Sequence, residues 1–158
     1  KHLVKLDLSG NHIWKISDGL GGLTKLEVLD LGYNRLRTFP PSIFKLTNLV
    51  ELDVSNGQNY VDNEVRITGL PDAIGKLTKL TKLSYNFNLL EQGFPASLFS
   101  LKHLVELDLF QCALPAEIPA ALAKLPKLKI LDVRYSSWWE RRKELKKLLP
   151  KVDFLERD

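Results

Sequence analysis

The stretch LEVLDLGYNRLRTFP, residues 26–40, begins with alternating apolar and polar side chains and ends at a Phe-Pro pair. Leu29 and Leu31 are separated by one residue, so both point to the same face of a short strand. A strand this short cannot bury its apolar face alone. The stretch therefore predicts a unit that becomes stable only when copies of it are stacked.

Five other copies of the opening pattern, LxxLxL, occur along the chain, with Val or Tyr replacing the third Leu in some of them. The six copies open at Leu3, Leu26, Leu49, Leu80, Leu104 and Leu128. Their separations are 23, 23, 31, 24 and 24 residues, a period typical of solenoid proteins. The spacing predicts parallel strands, side by side in one sheet over a shared core.

A mostly polar position recurs eight residues after each opening Leu. This row consists of Asn11, Asn34, Gly57, Asn88, Cys112 and Ser136. An Asn amide has two donor hydrogens and an acceptor oxygen, so stacked copies can bond the backbone groups left free where the chain leaves the strand. We expect the truncation of Asn34 to be costly.

The return arm of each unit, such as FPPSIFKL at residues 39–46, places a proline before a short apolar run, which favours one helical turn. The repeats, the Asn row and these arms resemble the leucine-rich repeat family over nearly the whole chain. That resemblance implies an α/β solenoid: a right-handed horseshoe of about six repeats, with a parallel β-sheet on its concave side. The family tolerates a Cys in the Asn row.

The third unit is eight residues longer than the second and regains its rhythm at Ile67. The repeats are therefore expected at residues 1–137, with an insertion at about residues 56–66 that loops out at the rim. Loops on a rigid scaffold concentrate recognition residues, but long insertions are also entropically cheap, so a neutral insertion is the competing interpretation. The candidate contact residues in the insertion are Gln58, Asn59, Tyr60, Asp62 and Glu64.

Residues 138–158 are predicted to form a C-terminal cap that covers the last apolar layer. Ser137 and Glu140 have the spacing of a capping box, which predicts a helix start there. One face of that helix carries Trp138, Leu145, Leu148 and Leu149. Val152 and Phe154 are expected to continue as a final edge strand. A cap of this kind also resembles the end of many bacterial leucine-rich repeat proteins.

The side chains between the inward leucines face outward, onto the concave surface. The central outward column is Asp7, Asp30, Asp53, Ser84, Asp108 and Asp132. One interpretation is an acidic strip for a partner that carries Lys or Arg. The other is that aspartate is common at this position of the repeat, where it serves solubility and protects the strand edges.

Aromatic side chains follow this column, beside arginines, in a composition that matches interface hot spots. The predicted partner-binding residues are Tyr33, Arg35, Asp30, Asp53, Tyr60, Phe87, Leu89, Asp108, Phe110, Arg134 and Tyr135. We expect the aromatic ones and Leu89 to cluster at the Asn-side rim of the concave face. In the alternative interpretation, some of them pack on one another or under the insertion as structural cover.

The sequence holds no P-loop, dinucleotide fingerprint or Cys/His metal spacing. The positions of His2 and His103, directly before an opening Leu, indicate surface residues, and His12 stands alone next to Asn11. We therefore expect no catalytic residues, no metal and no cofactor. The net charge of +4 lies mainly beyond residue 133, which argues against nucleic acid, and no apolar run is long enough to insert into a membrane. The single Cys112 excludes an intrachain disulfide and favours a reducing compartment or a bacterial origin.

The combined pattern predicts a non-catalytic module for protein–protein recognition on its concave face, monomeric or weakly self-associating. Two alternatives stay open. Because the chain opens in mid-repeat, it is a candidate targeting domain of a larger signalling or effector enzyme. It is also a candidate unit of a secreted or surface adhesin.

Overall fold

The structure, a computed structural model, describes residues 2–57 and 66–155. Within these residues, six three-residue strands form one parallel sheet in chain order. The strands are β1 Lys5–Asp7, β2 Val28–Asp30, β3 Glu51–Asp53, β4 Lys82–Ser84, β5 Glu106–Asp108 and β6 Ile130–Asp132. All six lie in register, so that the predicted repeats coincide strand by strand.

The middle leucine of each strand points into the core, and its two neighbours point to the concave surface. Leu29, Leu52 and Leu83 are buried, with the same alternation that the sequence predicts. Their side chains form one layer with the opening leucines of each unit, such as Leu49, which is also buried. The apolar core is therefore continuous along the solenoid.

Short 3-10 helices lie on the other side of this core and confirm the helical turns expected in the return arms. They span Asp18–Gly22, Pro41–Lys45, Asp72–Lys76, Ala96–Ser100 and Ala120–Lys124. The last four follow a proline, whose carbonyl accepts the first bond of the turn; Ile43 N donates to Pro40 O at 3.1 Å. Strands inside and turns outside give the expected horseshoe.

Buried amides join successive units where the chain leaves each strand. Asn34 Nδ2 donates to the carbonyls of Leu8 (2.9 Å) and Leu31 (3.0 Å), and its Oδ1 accepts from Ile13 N (3.0 Å). One side chain thus bonds both its own unit and the preceding one. Cys112 takes the same place after β5, the last strand but one, and donates from Sγ to Tyr85 O (3.2 Å).

In the third unit, the amide of this row comes from a different residue than the spacing of the sequence predicts. Gly57 stands at the row position, but the amide comes from Asn56, one residue earlier, whose Nδ2 donates to Asn88 Oδ1 at 2.9 Å. Beyond the insertion the core resumes at Ile67, as predicted, and Ile67 O accepts from the buried Tyr85 hydroxyl at 3.0 Å. These two contacts tie the longer unit to its neighbour.

The expected capping box is wrong. The helix α1, Arg142–Leu148, begins after a 3-10 turn at Trp139–Arg141, and neither element has a side-chain cap. The cause is burial: Trp138 is fully buried, and its Nε1 donates to Pro115 O at 2.7 Å, which holds the chain down against the previous unit. The predicted final edge strand is present as one parallel bridge between Asp153 and Ile130.

We expect Asn34→Ala to lower the free energy of unfolding by about 1–3 kcal/mol, because buried carbonyl and amide groups lose their partners. Asn11 is the matched control, since its Nδ2 also donates to Leu8 O but the side chain is exposed. Asn11→Ala should cost clearly less. Urea denaturation of both variants measures the difference, and equal losses would contradict the role of burial.

Candidate binding surface on the concave face

A cavity of about 760 Å³ opens on the concave side, where the chain leaves the strands. It is lined by His12, Tyr33, Arg35, Gly57, Asn86, Phe87, Asp108, Phe110, Asp132 and Arg134. These residues come from all six units and extend from His12 to Arg134 in the sequence. Gly57 is the last described residue before the surplus stretch.

The rings of Phe87 and Phe110 line one wall of this cavity, and the ring of Tyr135 continues their row beyond it; we call these three rings the aromatic row. Phe110 makes edge contacts with the other two rings, with centroid distances of 5.4 and 5.3 Å. The guanidinium of Arg134 lies 5.4 Å from the centre of the Phe110 ring. The row is thus held together by its own contacts before any partner arrives.

The aromatic side chains in and beside the cavity differ in how much of their surface is exposed to solvent. Tyr33 is 54% exposed and Tyr135 is 50% exposed, whereas Phe87 is only 8% exposed. The alternative interpretation, packing as structural cover, therefore describes Phe87, whose ring is largely hidden although it borders the cavity. The accessible aromatic surface lies at Tyr33, Tyr135 and the half-buried Phe110.

Tyr33, Phe87, Gln111 and Tyr135 occupy the same position in the second, fourth, fifth and sixth units, and all have a positive φ, between 51° and 60°. L-residues adopt this left-handed conformation at a cost of about 1–2 kcal/mol. Gly10 fills the equivalent place in the first unit, with φ 66°. The turn out of the strand imposes this conformation, and the stacked units hold it. The aromatic side chains consequently leave the backbone in a fixed direction.

The aspartates of the acidic column have a structural role at the ends of their own strands. Oδ1 of Asp30 accepts from Gly32 N (2.8 Å), and Oδ1 of Asp53 accepts from Ser55 N (2.8 Å). The same bond, from carboxylate to the amide two residues on, recurs along the column. Each aspartate therefore shapes the turn that ends its own strand.

Burial and charge set the protonation of this column. Burial raises the pKa of Asp53 and of Asp108, although hydrogen bonds from Ser55 and Asn86 respectively act in the opposite direction. The exposed Asp7 differs, because hydrogen bonds from Ser9 lower its pKa. The middle of the column is thus less favourable to negative charge than its first member.

At the far end of the cavity, Asp132 is 2% exposed and paired with Arg134. The guanidinium donates from Nη2 to Oδ2 at 2.7 Å and from Nε to Oδ1 at 3.0 Å. Two parallel bonds of this kind fix the plane of the guanidinium. The pair therefore presents a rigid polar edge next to the Phe110 ring.

The structure brings together much of the predicted set. Six of its residues line the cavity: Tyr33, Arg35, Phe87, Asp108, Phe110 and Arg134. Tyr135 contacts Phe110, and Asp30 and Asp53 line an adjoining cavity of about 250 Å³. Leu89 lies apart: its backbone bridges Thr68 and Ala113, and among the described residues it lines neither cavity. Tyr60 and the other insertion candidates fall outside the described residues.

Four lining residues were not in the predicted set: His12, Gly57, Asn86 and Asp132. His12 follows Asn11 as Arg35 follows Asn34, and Asn86 stands two residues after its strand position as Phe110 does. Aligning every column of the six units would have found both. Asp132 belongs to the acidic column, but its buried pairing with Arg134 has no sequence signal.

Within residues 2–57 and 66–155, no group of three or more His, Cys, Asp or Glu side chains could hold a metal ion. No helix in the same ranges is both long enough and apolar enough to cross a membrane.

The sequence is similar to known repeat proteins. A family profile described as leucine rich repeat matches residues 1–59. The adenylate cyclase of Schizosaccharomyces pombe is 30% identical over 131 residues, which are 83% of this chain and 7% of the cyclase. Fibromodulin of Sus scrofa is 30% identical over 109 residues, 69% of both chains.

Two solved structures share the fold. The ectodomain of the plant membrane receptor kinase GASSHO1/SCHENGEN3 from Arabidopsis thaliana, in complex with CASPARIAN STRIP INTEGRITY FACTOR 2, is 31% identical with a TM-score of 0.70. The plant peptide hormone receptor RGFR1, in complex with RGF2, is 28% identical with a TM-score of 0.62. Each alignment covers 85% of this chain, but 16% and 21% of the respective receptor chain. This chain therefore spans only a small part of either receptor.

We expect Asp53→Asn to raise the free energy of unfolding at neutral pH. The folded-state pKa of Asp53 lies above its ordinary value of 3.8, so its ionised form disfavours the folded state. The penalty appears as the pH rises through that raised pKa and is absent at lower pH. Stability curves of the variant and the wild type should converge below about pH 4.

Asp7→Asn is the control with the opposite sign. A lowered folded-state pKa contributes stability above 3.8, which is lost as the pH falls through the lowered value. Asp7→Asn should therefore destabilise at neutral pH. If both variants shift stability in the same direction, burial does not govern the Asp53 pKa.

The positive φ of Tyr33 predicts that Tyr33→Gly is more stable than Tyr33→Ala by about 1 kcal/mol, since glycine alone adopts this conformation without strain. Thr38 is exposed and does not have a positive φ, so there glycine should be the less stable of the two replacements. Thermal denaturation of the four variants tests the reversal. An alanine preference at both positions would disprove the strain at Tyr33.

Proposed function

This chain belongs to the leucine-rich repeat family, and from that premise we propose that it is a non-catalytic module that recognises a protein partner along its concave face. The family is typically an interaction fold without chemistry of its own. The partner is an extended protein or peptide segment, which lies across the exits of the six strands.

The cavity of about 760 Å³, with Phe87 and Phe110 of the aromatic row along one wall, is the observation that carries this proposal. Tyr33, which lines the cavity, and Tyr135, which contacts Phe110, each expose about half of their surface, on a backbone that the repeats hold rigid. Large aromatic side chains with little freedom to lose are the groups that contribute most to protein interfaces. The Asp132–Arg134 pair adds directional hydrogen-bonding groups beside them.

The two receptors named above support the class of ligand. Both structures are complexes with a partner, and RGFR1 is a peptide hormone receptor. Their alignments with this chain cover most of its repeats. A peptide-sized segment is accordingly the ligand that we propose for this concave face.

A second candidate function is that of a targeting domain within a larger enzyme. The observation that favours it is the adenylate cyclase match, in which 83% of this chain aligns with 7% of a catalytic protein. The recognition surface would then select where that enzyme acts. A catalytic domain in the same reading frame would support this candidate, and a frame that encodes repeats alone would contradict it.

We expect Phe110→Ala and Tyr135→Ala each to weaken a bound partner by about 1–3 kcal/mol, because each removes an aromatic contact from the proposed interface. Partners captured by the wild-type chain are identified by mass spectrometry, and their affinities for the variants are then measured by calorimetry. Lys76→Ala and Lys124→Ala, at exposed ends of convex 3-10 turns, are the controls.

The convex controls should bind as the wild type does. Denaturation curves confirm that each variant is folded at the temperature of measurement. Partners whose binding depends on the two lysines, and not on Phe110 or Tyr135, would place recognition on the convex side and overturn the proposal.

A further inference from the structure

The acidic column is interrupted at one strand. Asp53 of β3 and Asp108 of β5 are both aligned with Ser84 of β4, the short side chain between them. Neighbouring strands lie about 4.8 Å apart, so the two carboxylates stand on the order of 10 Å from each other. The interruption leaves a gap in the concave surface that is flanked by negative charge on both sides.

The hydroxyl of Ser84 faces this gap without a partner. Ser84 is 4% exposed and lines the cavity of about 250 Å³, together with Asp53 and Lys82. In the described part of the chain its side chain makes no hydrogen bond, whereas the buried amides of Asn34 and Asn88 are fully engaged. The oxygen itself is not enclosed, because among the described residues every enclosed side-chain nitrogen or oxygen has a partner, so the hydroxyl reaches the cavity. Its position suits a ligand that donates a hydrogen bond.

The charges around β4 favour a cation. Four carboxylates flank this strand, from Glu51 and Asp53 on one side and from Glu106 and Asp108 on the other. Two lysines already lie near these carboxylates: Lys82, whose Nζ lies 2.7 Å from Glu106, and Lys5, which lines the same cavity as Ser84. The four carboxylates still outnumber the two lysines. Burial raises the pKa of Asp53 and of Asp108, and neighbouring carboxylates raise both further, so another cation would relieve that repulsion.

We infer that the gap at Ser84, between Asp53 and Asp108, binds the ammonium or guanidinium group of one lysine or arginine side chain from the partner. This inference rests on the proposed function. Asp108 also lines the larger cavity, so a segment that packs on the aromatic row passes directly beside the gap. The bound cation would donate to the Ser84 hydroxyl and to one of the two flanking carboxylates, which gives the partner its register.

The test uses a phage-displayed library of random linear peptides, selected on the wild-type chain. We expect the recovered peptides to share a lysine or arginine at a fixed distance from an apolar residue. Synthetic versions should lose affinity on the order of tenfold for the variant that combines Asp53→Asn and Asp108→Asn. Replacing the shared lysine or arginine by norleucine should cause a similar loss on the wild type.

Asp7→Asn is the matched control, since it removes one charge from the same column at the end away from the gap. It should leave peptide affinity unchanged. Asparagine retains the oxygen that accepts the turn amide, so the double variant is expected to fold, and its denaturation curve verifies this.

Peptides that need Phe110 but show no preference for a basic residue, or bind the double variant as tightly as the wild type, would overturn this inference alone. Equal losses of peptide affinity in the double variant and in Asp7→Asn would also overturn it, because they would indicate general electrostatic attraction of basic peptides to the acidic column. A library without any peptide that depends on Phe110 or Tyr135 would overturn the proposed function, and this inference with it.

Discussion

A strand of three residues has too few hydrogen bonds and too little apolar surface to persist alone, so each unit of this protein depends on the next. The backbone ladder and the buried amides supply that dependence together. Asn34 bonds carbonyls in its own unit and in the one before it, and Asn88 does the same across the longer third unit. Stability is therefore a property of the stack, and every other feature of the molecule follows from how neighbouring units meet.

The proposed binding surface inherits its rigidity from this stacking. Tyr33 and Phe87 keep a backbone conformation that an isolated turn would leave, and their backbone amides bond to the next unit, Tyr33 N to Ser55 O and Phe87 N to Phe110 O. The rings are consequently set before a partner binds, and little side-chain or backbone entropy is lost on association. A surface of this kind suits recognition, because it offers a partner fixed shape and polarity.

The third unit shows how the stack absorbs a local change. Asn56 supplies the amide that Gly57 lacks, and the Tyr85 hydroxyl bonds the carbonyl at which the core resumes. In the next strand, Ser84 interrupts the acidic column while Asn86 bonds Asp108 from the same turn. These departures from the repeat are adjacent in space, and both cavities adjoin them. The residues that depart from the repeat and the two cavities therefore lie in the same part of the concave surface.

The amino-acid sequence by itself determined the solenoid, the order and register of its strands, the inward leucines and the outward columns, because a period of two within a period of about 24 residues admits one arrangement. Only the tertiary structure decided which outward side chains close on one another. Phe87 is hidden and Tyr33 is exposed at equivalent positions, the amide of Asn56 turns inward, and burial of Trp138 overrides the capping pattern at Ser137. Each of these outcomes depends on distances between side chains that are remote in sequence, and such distances exist only once the units are stacked.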